Sequence, residues 1–211
     1  MTINRASVWL VLAICLAQPS WAGAAAGSTA VSTAGADQAK PLCAACHGAQ
    51  GVSSIPAIPS LAGQPKVFVE NQLVMIREGL REVPAMTGML DKLSDADLTS
   101  LATWYAGLKL DGPAGSTAPA PVTPQSSARI AAGATMAKQA LCGTCHLPTY
   151  VGQSQVPRLA GQHEEYLQQT MILMRDGKAV GRDSIMSSTL RGMSDEQLRD
   201  LAYYFSNLRS F

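Results

Sequence analysis

Near the end of each half of the chain, apolar residues recur with the spacing of one helix face. Leu98, Leu101, Ala102 and Tyr105 stand at i, i+3, i+4 and i+7, and Leu198, Leu201, Ala202 and Phe205 repeat the set. Steps of three and four return a side chain to the same side of an α-helix, so both stretches predict amphipathic helices. Ser94 with Asp97, and Ser194 with Gln197, precede them at the spacing of capping boxes, in which side chains satisfy the free N–H groups of the first turn. A middle helix is predicted over about 66–78 and again over about 164–176, closed by Gly79 and Gly177. A leading helix is clear over 128–141, "ARIAAGATMAKQAL". In the first half Pro41 removes a hydrogen bond and crowds the turn near Asp37, so the matching helix is expected to be short, kinked or restarted. No stretch alternates with the period of a strand. The fold class is all-α.

The two halves are one unit written twice. Cys43 recurs as Cys142, an offset of 99, and "PSLAGQ" (59–64) recurs as "PRLAGQ" (157–162), an offset of 98. "MLDKLSDADLTSLATWYAGL" (89–108) matches "TLRGMSDEQLRDLAYYFSNL" (189–208) at an offset of 100. Two copies at this period mean a tandem duplication of a small helical domain, not a solenoid. The domains run over 23–110 and 128–211. Between them, residues 111–127 are rich in Pro, Ala, Gly and Ser, the composition of an extended linker.

The N-terminus reads as an export signal. Arg5 gives the positive start, residues 6–17 the apolar run, and "PSWAGAAAG" a small-residue cleavage zone, so residues 1–22 are expected to be removed by cutting after Ala22 or Ala24. The apolar run falls short of the ~20 residues that span a bilayer. Charged residues make up 15% of the chain and the net charge is +1, which offers no basic stripe for nucleic acid. Aromatics are 5%, a thin supply for two separate cores.

Each domain carries the same reactive stretch, "LCAACHG" at 42–48 and "LCGTCHL" at 141–147. Two thiols one helical turn apart can form thioether bonds to the two vinyl groups of one haem, and the histidine beside the second thiol can bind its iron. Zinc would need four ligands per lobe, and a thioredoxin-like pair would need strands. A disulfide across one turn would constrain almost nothing. Cys43, Cys46, Cys142 and Cys145 are therefore expected to attach two haem c groups covalently, with His47 and His146 on iron. The bound haems would also fill the volume that the scarce aromatics leave.

For the opposite side of each iron the repeat points to methionine. Met86 lies eight residues before Ser94, and Met186 eight before Ser194, each expected in a loop ahead of the last helix. Met89 is the rival to Met86, but it corresponds to Thr189; Met193, the weaker rival to Met186, corresponds to Leu93, an apolar packing position. Met75, Met171 and Met174 fall on the middle helix and read as core residues. Pro59 and Pro157 are candidates to offer the backbone carbonyl that holds the second imidazole nitrogen. His163 is read as a surface or propionate-side residue.

Two Cys-x-x-Cys-His lobes, each with Pro-x-Leu-x-Gly-Gln, a loop methionine and an "LSDADL"-like last helix, resemble the dihaem cytochrome c4 family. "AMTGMLDKLSDADL" (85–98) is close to the form associated with that family. The resemblance covers the mature chain. It implies two class I cytochrome c domains in pseudo-two-fold relation, with haem propionates near their interface, and Met86 and Met186 as the distal ligands. The long linker, a departure, predicts a looser contact between the domains.

The expected function is that of a periplasmic one-electron carrier rather than an enzyme, moving charge from a bc1-type quinol-oxidising donor to a terminal oxidase or other acceptor. The alternative is the electron-accepting subunit of a periplasmic dehydrogenase for thiosulfate, sulfide or alcohol. The expected partners are redox proteins of the respiratory chain, docking transiently on a monomer. Peripheral association with the membrane stays open.

Overall fold

A computed structural model describes residues 33–110 and 123–208. Residues 1–22, expected to be the export segment, and residues 111–122 of the expected linker lie outside the described residues. In the first lobe, α1 (Thr33–Leu42) and the one-turn α2 (Ala44–His47) lead to α3 (Lys66–Arg77), a 3-10 turn at Pro84–Met86 and α4 (Asp95–Gly107). In the second, α5 (Pro124–Gln139) and α6 (Cys142–His146) lead to α7 (Glu164–Arg175), α8 (Ser184–Leu190) and α9 (Asp195–Asn207). Apart from an isolated bridge between Gln153 and Val156, the described residues hold no β-structure. The protein is all-α, a helical unit used twice.

Each lobe is built around its last helix. α4 packs against α1 and α3, and α9 against α5 and α7. The residues that the periodicity marks as inward are inward: Leu98, Leu101, Ala102 and Tyr105 are buried, as are Leu198, Leu201, Ala202 and Phe205. Both helices open on complete capping boxes. The Ser94 hydroxyl accepts from Asp97 N–H while the Asp97 carboxylate accepts from Ser94 N–H, and Ser194 with Gln197 does the same. An arginine at the end of each middle helix then ties it to that cap. Arg77 donates to the Leu93 carbonyl (3.0 Å) and to Asp95, and Arg175 to the Met193 carbonyl (3.1 Å) and to Asp195.

The leading helix crosses the last one at a glycine in both lobes. A Cβ on Gly133 would stand 2.3 Å from the Asp200 carbonyl oxygen and 2.5 Å from Tyr204 Cβ; at Gly35 it would meet Ser100 O at 2.4 Å and Trp104 Cβ at 2.6 Å. Gly133→Ala should therefore reverse the usual sign of a helical glycine substitution. The gain of about 1 kcal/mol in helix propensity is outweighed by forced separation of α5 from α9, and overpacking of this kind costs about 1–3 kcal/mol. Denaturant unfolding of the second lobe should show a net loss.

Two sequence expectations change. The chain does restart after Pro41, as α2 at Ala44, but the break is not Pro41's doing. α1 runs through Pro41 to Leu42 before α2 starts, and the second lobe, which has no such proline, breaks at the same place between Gln139 and Cys142. The linker also ends earlier than its composition suggests. Thr123 caps α5 by accepting from Ser126 N–H, and Pro124 takes the first helical position, where its missing N–H costs nothing. Residues 124–127 thus belong to the helix.

Nor is the contact between the lobes loose. The Gln64 side chain donates to the Arg158 carbonyl (3.0 Å) and accepts from Arg158 N–H (3.0 Å). Gln162 makes the same pair with Ser60, donating to its carbonyl (2.8 Å) and accepting from its N–H (2.9 Å). Ser60 and Arg158 are equivalent by the offset of 98, as are Gln64 and Gln162, so the exchange is reciprocal, as a two-fold relation requires. His163, expected at the surface or on the propionate side, is buried here, and its Nε2 donates to the Ser53 carbonyl of the other lobe (2.9 Å). Burial favours the neutral ring, which can still donate this bond.

Candidate functional site

The one-turn helices α2 and α6 carry the reactive residues. Cys43 lies at the N-cap of α2 and Cys46 within it; Cys142 opens α6 and Cys145 lies one turn on. In each pair the inner one (Cys43, Cys142) is half-buried and the outer one (Cys46, Cys145) is exposed. Before haem is attached, burial pushes the Cys43 and Cys142 thiols above their ordinary pKa.

The histidines close these turns and point inward. His47 is 9% exposed and His146 3%. His47 Nδ1 donates to the Pro59 carbonyl at 2.9 Å, and His146 Nδ1 to the Pro157 carbonyl at 2.7 Å. Burial lowers both imidazole pKa values, and the carbonyls oppose it only in part. Each ring is thus a neutral imidazole with its tautomer fixed by the carbonyl, which leaves Nε2 as the metal-binding nitrogen.

Backbone bonds set those carbonyls. In the first lobe Leu61 and Ala62 N–H both donate to Gly51 O (2.7 and 3.0 Å), and Gly63 N–H to Tyr105 O (2.9 Å). In the second, Leu159 and Ala160 donate to Tyr150 O (2.9 and 3.0 Å), and Gly161 to Phe205 O (2.9 Å). The Pro-x-Leu-Ala-Gly-Gln loop is therefore pinned between the stretch after the cysteine motif and the end of the last helix.

Neither methionine occupies a plain loop. Met86 ends the 3-10 turn at Pro84–Met86, and Met186 lies inside α8, capped by Asp183. Both are half-buried and pack against the core of their own lobe. Met89 is 39% exposed. Met193 and its counterpart Leu93 flank the two cores as apolar contacts, and Met171 and Met174 are core residues.

Four described non-glycine residues have left-handed backbone: Leu141, Leu147, Tyr150 and Ser154, all close to the second motif. Leu141 turns the chain from α5 into α6 at φ 55° with its side chain 69% exposed. That conformation costs a residue with a Cβ roughly 1–2 kcal/mol, against about 0.5–1 kcal/mol of extra chain entropy for glycine. Leu141→Gly should raise the stability of the second lobe by about 0.5–1 kcal/mol, read from the denaturant midpoint.

Two of the three buried side-chain polar atoms without partners among the described residues bear on whether a haem suits these surroundings. The buried Tyr105 hydroxyl reaches no nitrogen or oxygen partner and lies against the Cys43 sulfur. Arg81 Nε is also unpartnered, while Arg81 Nη1 donates to Gln72 Oε1 (2.6 Å) and the Tyr166 hydroxyl is bonded to both Arg81 and Arg182 of the other lobe. Burial first, and then the Arg182 charge, bring the Arg81 guanidinium down to about 10. Two guanidinium groups gathered on one buried phenol make a corner suited to an anion, and a haem carboxylate has that chemistry. The sequence reading did not single out Arg81, Arg182, Gln64 or Gln162. The two glutamines have their partners in the other half, and only their repetition in the two hexapeptides gave any signal.

A thiol pair that can reach both vinyl groups, with a carbonyl-held neutral imidazole behind it, makes each helical lobe that of a c-type cytochrome. A family model described as "Cytochrome c" matches residues 130–209, and one described as "Cytochrome C oxidase, cbb3-type, subunit III" matches residues 30–104. The chain is 35% identical to cytochrome c4 of Pseudomonas aeruginosa, over 85% of its own length and 90% of the relative's. It is 32% identical to a thiosulfate dehydrogenase electron acceptor of Thiomonas intermedia, over 87% and 86% of the two chains. The crystal structure of reduced recombinant cytochrome c4 from Pseudomonas stutzeri superimposes with a TM-score of 0.73 at 29% identity, covering 84% of this chain and 98% of that one. The chain belongs to the cytochrome c4 family. It is a dihaem cytochrome with two covalently bound haem c groups, and it transfers electrons.

Proposed function

We propose that the first lobe attaches its haem through Cys43 and Cys46 with His47 and Met86 as axial ligands, and the second through Cys142 and Cys145 with His146 and Met186. The observation that carries this reading is the matched pair of imidazole–carbonyl bonds, at 2.9 and 2.7 Å, directly behind the paired thiols. Each haem, when bound, supplies a one-electron iron couple. The chain's part is to hold the imidazole in one tautomer, to bring a half-buried thioether from Met86 or Met186, and to keep both ligands through the redox cycle. A thioether opposite imidazole favours the ferrous state. Half-burial of these methionines supports them over the exposed Met89.

On this reading the protein is a periplasmic electron carrier, exported by residues 1–22, that takes electrons from a bc1-type quinol-oxidising donor and passes them to a terminal oxidase. Among the described residues no helix is long and apolar enough to cross a membrane. A second reading, as electron acceptor of a thiosulfate dehydrogenase, is supported by the relative that bears that name. Co-purification from native membranes under mild salt, with haem reduction followed optically, separates the two. Recovery with an oxidase, and reduction by quinol only through a bc1-type complex, supports the carrier. Recovery with a dehydrogenase, and reduction by thiosulfate through it, supports the acceptor.

A further inference from the structure

The glutamine clasp between the lobes and the carbonyls behind the histidines share the same two peptide groups. The carbonyl of Pro59 and the N–H of Ser60 are opposite edges of one amide. His47 Nδ1 donates to the first (2.9 Å), and the second donates to Gln162 Oε1 of the other lobe (2.9 Å). The carbonyl of Pro157 and the N–H of Arg158 are likewise one amide, taking a bond from His146 Nδ1 (2.7 Å) and giving one to Gln64 Oε1 (3.0 Å). The orientation of each carboxamide is fixed, because the same backbone residue offers one donor and one acceptor to it. Both glutamines are buried, at 5% and 3% exposure, so water does not compete.

Bonds in such a chain polarise one another. An acceptor on the amide N–H moves electron density onto the carbonyl oxygen, which then draws harder on the imidazole Nδ1–H. An imidazole that shares its proton more fully is a stronger donor to iron and favours the ferric state. We propose that Gln64 and Gln162 are positioning residues acting crosswise: Gln162 tunes the haem ligated by His47, and Gln64 the haem ligated by His146. This rests on His47 and His146 being the axial ligands. The two halves of the device are not equal. Gln162 Oε1 also accepts from His163 N–H (3.0 Å), so its pull on the Ser60 amide is shared. The His146 bond is moreover the shorter one. The larger effect belongs to Gln64 and the second lobe.

The test uses the holoprotein with Gln64→Met, Gln162→Met and the two Gln→Glu variants. Methionine fills the space without an oxygen acceptor, and ionised glutamate is a stronger acceptor than glutamine. In Gln64→Met the ferrous form of the His146 haem should gain roughly threefold over the ferric, a rise of about 28 mV at 59 mV per tenfold. The other haem should move by less than half as much. Gln162→Met should do the converse with a smaller shift, and the glutamate variants should move the same haems the opposite way. The Nδ1–H resonance of the opposite imidazole in the ferrous protein gives a direct readout and should move upfield in the methionine variants. Small-angle scattering shows whether the lobes remain docked. A shift on the haem of the substituted lobe, equal shifts on both haems, or the same sign for methionine and glutamate overturns the proposal. Nδ1–H resonances of haem-bound His47 and His146 in the unsubstituted protein test the ligand reading by itself. With them present, an uncrossed result removes the tuning alone; their absence removes both.

Discussion

Met86→Ala is expected to abolish the sulfur-to-iron absorption of the haem in the first lobe while that of the second survives, and Met186→Ala to do the reverse. Loss of the thioether removes the ligand that favours ferrous iron, so the potential of the affected haem should fall by on the order of 0.1 V, within the ~0.8 V that axial ligands command. Stability should change less. Both methionines are only half-buried against their cores, and trimming one forfeits part of the 2–5 kcal/mol typical of a fully buried Met→Ala change. The discriminating control is Met89→Ala. That side chain is 39% exposed, and its removal should leave both absorption bands in place. Persistence of the first-lobe band in Met86→Ala and its loss in Met89→Ala would reverse the assignment.

The largest structural effect is expected from removing a thiol pair. Cys43→Ser with Cys46→Ser should lower the covalent haem content from two to one per chain, read by mass spectrometry after denaturation. Burial pulls the His47 ring toward the neutral, ligating form but does not anchor the haem, so what remains is a reversible ligand at best. A ligand bound at about 1,000 times its Kd stabilises by about 4 kcal/mol. A lobe with so few aromatics should lose at least that much, with the helical signal of α1 to α4 melting ahead of the second lobe. Substituting one thiol alone should leave the haem attached through the other.

Much of the architecture is written locally and is legible for that reason. The 3.6-residue periodicity of α4 and α9, their capping boxes and the cysteine–histidine spacing are each fixed within a turn or two of the chain. What escapes such a reading is set by distant partners. Gln64 and Gln162 address backbone groups 94 and 102 residues away, so no neighbour in sequence betrays them. His163 looks like a polar residue ahead of a helix until Ser53 of the other lobe covers it. Gly35 and Gly133 carry no signal of their own in the helical pattern, yet each is the place where a second helix comes to rest. The start of α5 is missed for a different reason. Thr123 and Ser126 form the cap with a serine where a glutamate or glutamine signals the motif, and the composition around them is that of a linker. Met186 is placed in a loop by its distance from Ser194, but Asp183 starts a seven-residue helix around it.

The hexapeptide that joins the halves is complementary to its own repeat. A free polypeptide holding one copy of the unit would present both a glutamine hook and the backbone eye that receives it, which is the prerequisite for pairing with an identical molecule about a dyad. Covalent fusion then adds no new chemistry to the encounter. It replaces a concentration-dependent association with a local one on the order of millimolar, and so makes the union indifferent to how much of the protein the cell produces.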